Sequence, residues 1–260
     1  MYDERDERAS SARGTIIRLY QSRGIVPAPK GFACPSLGDC SENGVKPLHT
    51  GNWAFVGCDY GSARVEGLPA KVLFVGMDRG GYGTAATEAF PDAQKAFRSA
   101  FERPENAHMG GAALIVKQLV DEKDSRKFSS QCALTNAVKC TAQTGSMSTG
   151  ATVMMIRRCG AHLSREIVEL APDLIVTQGD HPTRTVKKLL APVGAVVEFV
   201  GEKRGKATVS VARSVVVLAT PHPARLPGLK WRRGILPAFL VDASRAARAE
   251  LVQLLRNTST

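Results

Sequence analysis

Four apolar runs in the middle and latter part of the chain each close on a different polar group. Lys71–Gly76 (KVLFVG) passes into Met77-Asp78-Arg79-Gly80-Gly81, and Ala133–Val138 (ALTNAV) carries Asn136 before Lys139-Cys140. Asp173–Thr177 (DLIVT) opens into Gln178-Gly179-Asp180, and Ser214–Ala219 (SVVVLA) ends in Thr220-Pro221-His222-Pro223. Their length and β-branched content predict strands. Between them lie helical patterns. Ala112, Ile115, Val116, Leu119 and Val120 share one face, as do Ile156, Leu163, Ile167 and Leu170, and then Leu240, Ala243, Ala247, Leu251 and Leu254. Helices between strands predict parallel pairing with right-handed crossovers, hence a three-layer α/β/α sandwich around a central four-stranded parallel sheet. Val196–Val200 and Ala207–Val211 read as a short hairpin ahead of the fourth strand.

Upstream, the pattern weakens. Residues 1–30 read as an N-terminal arm or helix. Residues 31–67 read as a cysteine-containing loop region packed on the body, and the Pro-, Gly- and Cys-rich stretch Pro27–Leu48 as an ordered loop without periodicity. Residues 68–260 form the α/β body of what is expected to be a single domain overall.

Charge sharpens this picture. With 35 Lys+Arg against 24 Asp+Glu the 260-residue chain carries +11, which favours a polyanionic partner. The charged start, Met1 to Arg8, lacks the apolar core of a signal peptide, and no apolar run nears the ~20 residues of a membrane helix. The expectation is a soluble, cytoplasmic monomer without a membrane partner. In that compartment six cysteines are free thiols or metal ligands rather than disulfides.

Parallel sheets gather function at the carboxyl ends of their strands, which puts Asp78, Asn136, Gly179 and His222 along one rim. Gly76–Gly83 is a glycine-rich turn without the ending of a P-loop or the spacing of a dinucleotide fingerprint. Taken by itself, Asp78 fits a helix N-cap better than a catalytic carboxylate. Asn136 offers a donor beside an acceptor, which matches the N–H and carbonyl on a uracil edge, although pairing with neighbouring backbone is the commoner fate of a buried amide. Pro221 and Pro223 restrict the backbone around His222 and fix the imidazole's direction, whereas His49, His162 and His181 read as ordinary surface or supporting residues. Cys34, Cys40, Cys140 and Cys159 show no Cys-x2-Cys pair. Cys140 and Cys159 are placed to converge, and four thiolates suit an iron–sulfur cluster as well as a set of buried apolar thiols.

Together, Thr135-Asn136-Ala137-Val138-Lys139-Cys140, Arg158-Cys159 leading into a helix and Asp173-Leu174-Ile175-Val176, and the His222-Pro223-Ala224 loop resemble the uracil-DNA glycosylase superfamily, especially its iron–sulfur branches (the fourth and fifth families). The resemblance implies a DNA-repair enzyme that flips one nucleotide of DNA into a pocket at the strand ends and hydrolyses the N-glycosidic bond of uracil or a related base. It implies that Asp78 orients water, that His222 donates to the base carbonyl, and that Asn136 reads the pyrimidine edge. Gly76, Met77, Gly80 and Tyr82 would line the pocket, with His108 or Tyr82 stacking on the base. Gly80 would leave space beside C5 that a tyrosine fills in the first family. Leu226 is the implied wedge into the base stack, and Gly179, Arg225, Lys230, Arg232 and Arg233 the implied DNA contacts. A 4Fe–4S cluster would be held by Cys34, Cys40, Cys140 and Cys159, with Cys58 as a substitute for Cys34 or Cys40. The chain departs from the fourth family at Met77-Asp78-Arg79-Gly80, where that family usually has Glu-Ala-Pro-Gly. Two further readings stay open: a catalytically altered DNA-binding protein of the same fold, and a nucleotide-binding enzyme of flavodoxin-like topology.

Overall fold

The computed structural model describes residues 5–28, 31–51, 54–77, 107–144, 147–149, 151–201, 205–222 and 235–258. A helix, Arg5–Ser22, leads into a hairpin of β1 (Val26–Ala28) and β2 (Gly31–Ala33), then β3 (Val45–Gly51), β4 (Phe55–Val56) and a second hairpin of β5 (Ala63–Val65) and β6 (Leu68–Ala70). The body follows with β7 (Val72–Gly76), helices Ala107–Leu119 and Ser125–Gln131, β8 (Cys132–Asn136), β9 (Cys140–Thr144), β10 (Met147–Thr149) and helix Val153–Leu170. It continues with β11 (Leu174–Gln178), helix Asp180–Leu189, β12 (Val197–Val200), β13 (Lys206–Ala212), β14 (Val215–Thr220) and helix Ala238–Thr258.

The main sheet has seven strands in the order β12-β13-β14-β11-β7-β8-β4. The four expected strands are its centre, and they pair in parallel as β14, β11, β7 and β8. The expected four-stranded parallel sheet is corrected to a mixed one, because antiparallel strands extend both edges: β13 and β12 beyond β14, and β4 beyond β8. The hairpin read from Val196–Val211 does not stand apart. A two-residue loop at Arg213-Ser214, with Arg213 at φ 56°, folds β13 directly onto β14. The stretch Pro27–Leu48, read as a loop, instead supplies β1, β2 and most of β3, which joins β9 and β10 in a three-stranded sheet. Three-residue strands are too short to show a period, so their pairing leaves no trace in sequence.

Alternation along the parallel strands divides the interior in two. Val72, Phe74, Leu134, Leu174, Val176, Val216 and Leu218 face the helices Ala107–Leu119 and Ala238–Thr258. Leu73, Val75, Ala133, Ile175 and Val217 face the Arg5–Ser22, Val153–Leu170 and Asp180–Leu189 side. Helices therefore cover both faces, as the unbroken apolar runs demand. Phe74 meets Phe128 edge to face at a centroid distance of 6.3 Å. Thr152 caps the Val153–Leu170 helix by accepting from the Met155 amide at 3.1 Å, and Ala171 ends it at φ 41°.

One polar assembly crosses the second core. Lys139 Nζ donates to Glu166 Oε2 at 2.7 Å, to Thr135 Oγ1 at 2.7 Å and to the Asn136 carbonyl at 2.5 Å. Thr135 Oγ1 donates to Glu166 Oε2 at 2.6 Å. Glu166 Oε1 accepts from Tyr20 OH at 2.5 Å, and that hydroxyl accepts the Ala54 amide at 2.8 Å. Burial, then the Glu166 charge, hold the Tyr20 phenol well above its ordinary range, so it remains a donor. Each of the three ammonium hydrogens has an acceptor, the condition under which a buried ion pair is tolerated.

Removing one partner of this pair strands the other charge in the core. Lys139→Met is therefore expected to cost ~3–5 kcal/mol in urea unfolding, and adding Glu166→Leu to recover much of that loss. His162, on the same helix, is pushed down to about 4 by burial first, then by Lys139 and Arg23, against the opposing pull of Glu166. Below its ordinary value of 6.5 the unfolded chain takes up a proton that the folded chain resists. The stability carried by the neutral imidazole is thus complete above about pH 6.5 and lost as pH falls toward 4. His162→Asn should flatten the decline of the urea midpoint across that window, and a decline parallel to the parent's would count against this assignment.

Candidate active site

The carboxyl ends of the four parallel strands meet at one rim. Register pairs Gly76 of β7 with Asn136 of β8, and Gln178 of β11 with Thr220 of β14. Beyond the last pairs the chains stay joined: Ala137 N–H donates to the Gly76 carbonyl at 2.8 Å, Val138 N–H to the Met77 carbonyl at 2.9 Å, and Gly179 N–H to the Thr220 carbonyl at 2.8 Å. Asn136 is the last residue of β8 rather than an interior one, and it is buried. Because Thr135 points to Glu166 on the second core, Asn136 points to the opposite face.

Gly179 and His222 form the other end of the rim. Gly179 sits at φ 104°, a backbone state that side chains disfavour, and a Cβ there would lie 3.4 Å from the His222 Cβ. This glycine leaves room for His222, two residues past β14, beside the turn that starts helix Asp180–Leu189. Thr183 secures that turn, donating Oγ1–H to the Gly179 carbonyl at 2.8 Å. His222 is half-buried at the site's edge.

Of the other expected residues, Gly76 is buried at the end of β7, with half-buried Met77 following it. His108 stands in the first turn of helix Ala107–Leu119. Asp78, Gly80, Tyr82, Arg225, Leu226, Lys230, Arg232 and Arg233 lie outside the described residues. In the sequence Gln178 reads only as the opening of a turn. The structure makes it the fully buried end of β11.

Behind the rim, Cys34, Cys40, Cys140 and Cys159 fall in or against one apolar cluster. The Lys139 N–H donates to Cys159 Sγ at 3.4 Å. Burial pushes the Cys159 thiol up to about 11, with Lys139 pulling the other way and Cys34 and Cys40 adding to the rise. Cys40 is likewise raised, by burial and then by Cys34. The 3-10 turn Gly38–Cys40 is tied to the start of helix Val153–Leu170 through Thr152 Oγ1, which donates to the Cys40 carbonyl at 3.4 Å, and through an Arg158–Asp39 ion pair at 3.4 Å. Cys58 lies elsewhere. Its neighbours Gly57 and Asp59 donate amides to the carbonyls of Cys132 and Ser130, at the opposite end of β8. Among the described residues, no three His, Cys, Asp or Glu side chains are grouped to hold a metal ion. The donor set still suits a cluster, whose thiolates bond different irons and so stand farther apart than ligands sharing one ion, and which gains from an N–H aimed at sulfur.

No described helix is long and apolar enough to cross a membrane. No curated protein matches the chain. The family model described as the uracil DNA glycosylase superfamily matches residues 65–239, a span that runs from β5 through all four parallel strands and both ends of the rim. With the match covering most of the chain and the whole of this site, the chain belongs to the uracil DNA glycosylase superfamily.

Proposed function

We propose that the protein is a DNA-repair glycosylase that hydrolyses the N-glycosidic bond of uracil or a related damaged base, and that it is of the iron–sulfur kind. The observation that carries this reading is the rim itself: a buried amide at Asn136, a residue without a side chain at Gly76 and an imidazole at His222 lie across the carboxyl ends of the four central parallel strands. That arrangement suits a planar base flipped out of the stack. The net charge of +11 supports a polyanionic partner whose affinity falls steeply with salt.

In this reading Asn136 accepts the ring N–H and donates to the adjacent carbonyl. As the C1′–N bond breaks, its electron pair passes to the base and charge collects on the other ring carbonyl, where His222 donates. One such donor is worth roughly 3–4 kcal/mol of barrier. Asp78 holds a water against the cationic sugar and takes its proton as the C1′–O bond forms, leaving an abasic site and free base. Leu226 fills the gap in the stack, and Arg225, Lys230, Arg232 and Arg233 hold phosphates. Gly179 lies along the same DNA-facing edge.

Cys34, Cys40, Cys140 and Cys159 would hold a 4Fe–4S cluster, which when bound supplies a structural cross-link rather than a reacting group. It would fasten the N-terminal segment to helix Val153–Leu170, in line with the turn contacts at Cys40 and Asp39. Thiols held protonated by burial would ionise on binding iron.

His222→Ala is expected to slow release of uracil from an oligonucleotide by ~10²–10³-fold while leaving DNA affinity nearly unchanged. A variant as fast as the parent would remove His222 from the chemistry. A parent that binds DNA but releases no base would favour the non-catalytic DNA-binding reading, to which the departure at Met77-Asp78-Arg79-Gly80 lends weight. Protein purified without oxygen should be brown and contain iron and sulfide in near-equal amounts, and Cys159→Ser should lose both. Stable, colourless parent protein would refute the cluster.

A further inference from the structure

Gln178 has no exposed surface, and among the described residues neither its Nε2 nor its Oε1 has a hydrogen-bond partner. A buried amide left wholly unpaired destabilises the fold, so its retention at a strand end calls for a cause outside the folded chain. The sheet shows where it points. Thr177 bonds Thr183 of helix Asp180–Leu189 at 2.7 Å, which sets the preceding side chain on the second-core side and Gln178 on the face of Leu174 and Val176. Asn136 occupies that face by the same alternation. Gly76, paired with Asn136 and next in line to β11, stands between them without a side chain. Two carboxamides therefore flank a bare backbone notch across adjacent strands, their Cα atoms ~10 Å apart by strand spacing. The hydroxyl at the far end of this row is occupied, since Thr220 Oγ1 donates to the Thr177 carbonyl at 2.9 Å. Gln178 also immediately precedes Gly179, where an added Cβ would lie 3.4 Å from the His222 Cβ.

We propose that Gln178 is a second base-reading amide, whose Nε2 donates to the ring carbonyl on the His222 side while Asn136 reads the opposite side. This rests on the glycosylase reading and extends it. The substrate base then carries polar groups facing both amides, and the charge that develops on it meets two donors. The orphaned amide acquires its partner only when a base enters.

This role has a signature that a structural role lacks: loss of function together with a gain in stability. Gln178→Leu and Gln178→Met remove an unpaired polar group from the core while preserving much of its volume. Both should raise Tm by roughly 2–4 °C. Single-turnover release of uracil from a uracil-containing oligonucleotide should fall by ~10²–10³-fold. Affinity for a duplex bearing an abasic site, which has no base to read, should stay within about twofold of the parent. If the parent releases base and either variant matches its rate, the inference fails and the glycosylase reading stands. If both variants lose activity and stability together, Gln178 is structural and the inference fails as well. If the parent releases no base from any uracil substrate, the glycosylase reading falls and takes the inference with it.

Discussion

The buried pair of Lys139 and Glu166 is the constraint on which the site depends. It joins four separate parts of the chain: the first helix through Tyr20, the segment before β4 through Ala54, the end of β8 through Thr135 and Asn136, and the helix Val153–Leu170 through Glu166 itself. A charge pair excluded from water has little freedom to exchange partners, so these elements are held in one arrangement. Lys139 binds the Asn136 carbonyl with its side chain and the Cys159 sulfur with its backbone. The end of β8 is thereby fixed from behind, and the proposed base-reading amide is presented on the opposite face without needing to position itself.

The sheet converts that fixed point into a row. Parallel pairing in register brings Asn136, Gly76, Gln178 and Thr220 to one edge. Two-residue alternation turns their side chains to one face while Thr135 and Thr177 turn to the other. The two faces then do different work. The second-core face carries the ion pair and the Thr177–Thr183 bond, which hold the rim in place. The first-core face is apolar along the strands and becomes polar only at their ends, as expected where a scaffold gives way to a site.

The glycines of the rim matter for what they omit. At Gly179 the backbone angle disfavours a side chain, and any Cβ there would lie in van der Waals contact with His222. At Gly76 the strand that lies between the two amides adds no side chain of its own. Stability is given up in the same place: among the described residues Gln178 is buried without partners, whereas the Thr220 hydroxyl on the same row is satisfied. Local rules broken at one position in an otherwise consistent fold point to function there.

Much of this was legible in the sequence because it is local. The apolar runs of β7, β8, β11 and β14 and the helical faces around Ile115, Leu163 and Ala247 each record burial within a few residues. Their alternation along the chain determined the parallel centre and the side of the sheet where polar residues collect. The Asn136 to Cys140 segment and the His222 loop carry the family resemblance in their residues alone. What sequence did not disclose is pairing between distant segments. The edge strand β4, which pairs with β8, and β3, which pairs with β9, owe their places to partners far along the chain, and a strand as short as the two residues of β4 leaves no period. The partnership of Lys139 with Glu166, the separation of Cys58 from the other thiols, and the unpaired state of Gln178 depend on which atoms surround a side chain in three dimensions. Only tertiary packing decides that, because desolvation and hydrogen-bond satisfaction are properties of the enclosure and not of the residue.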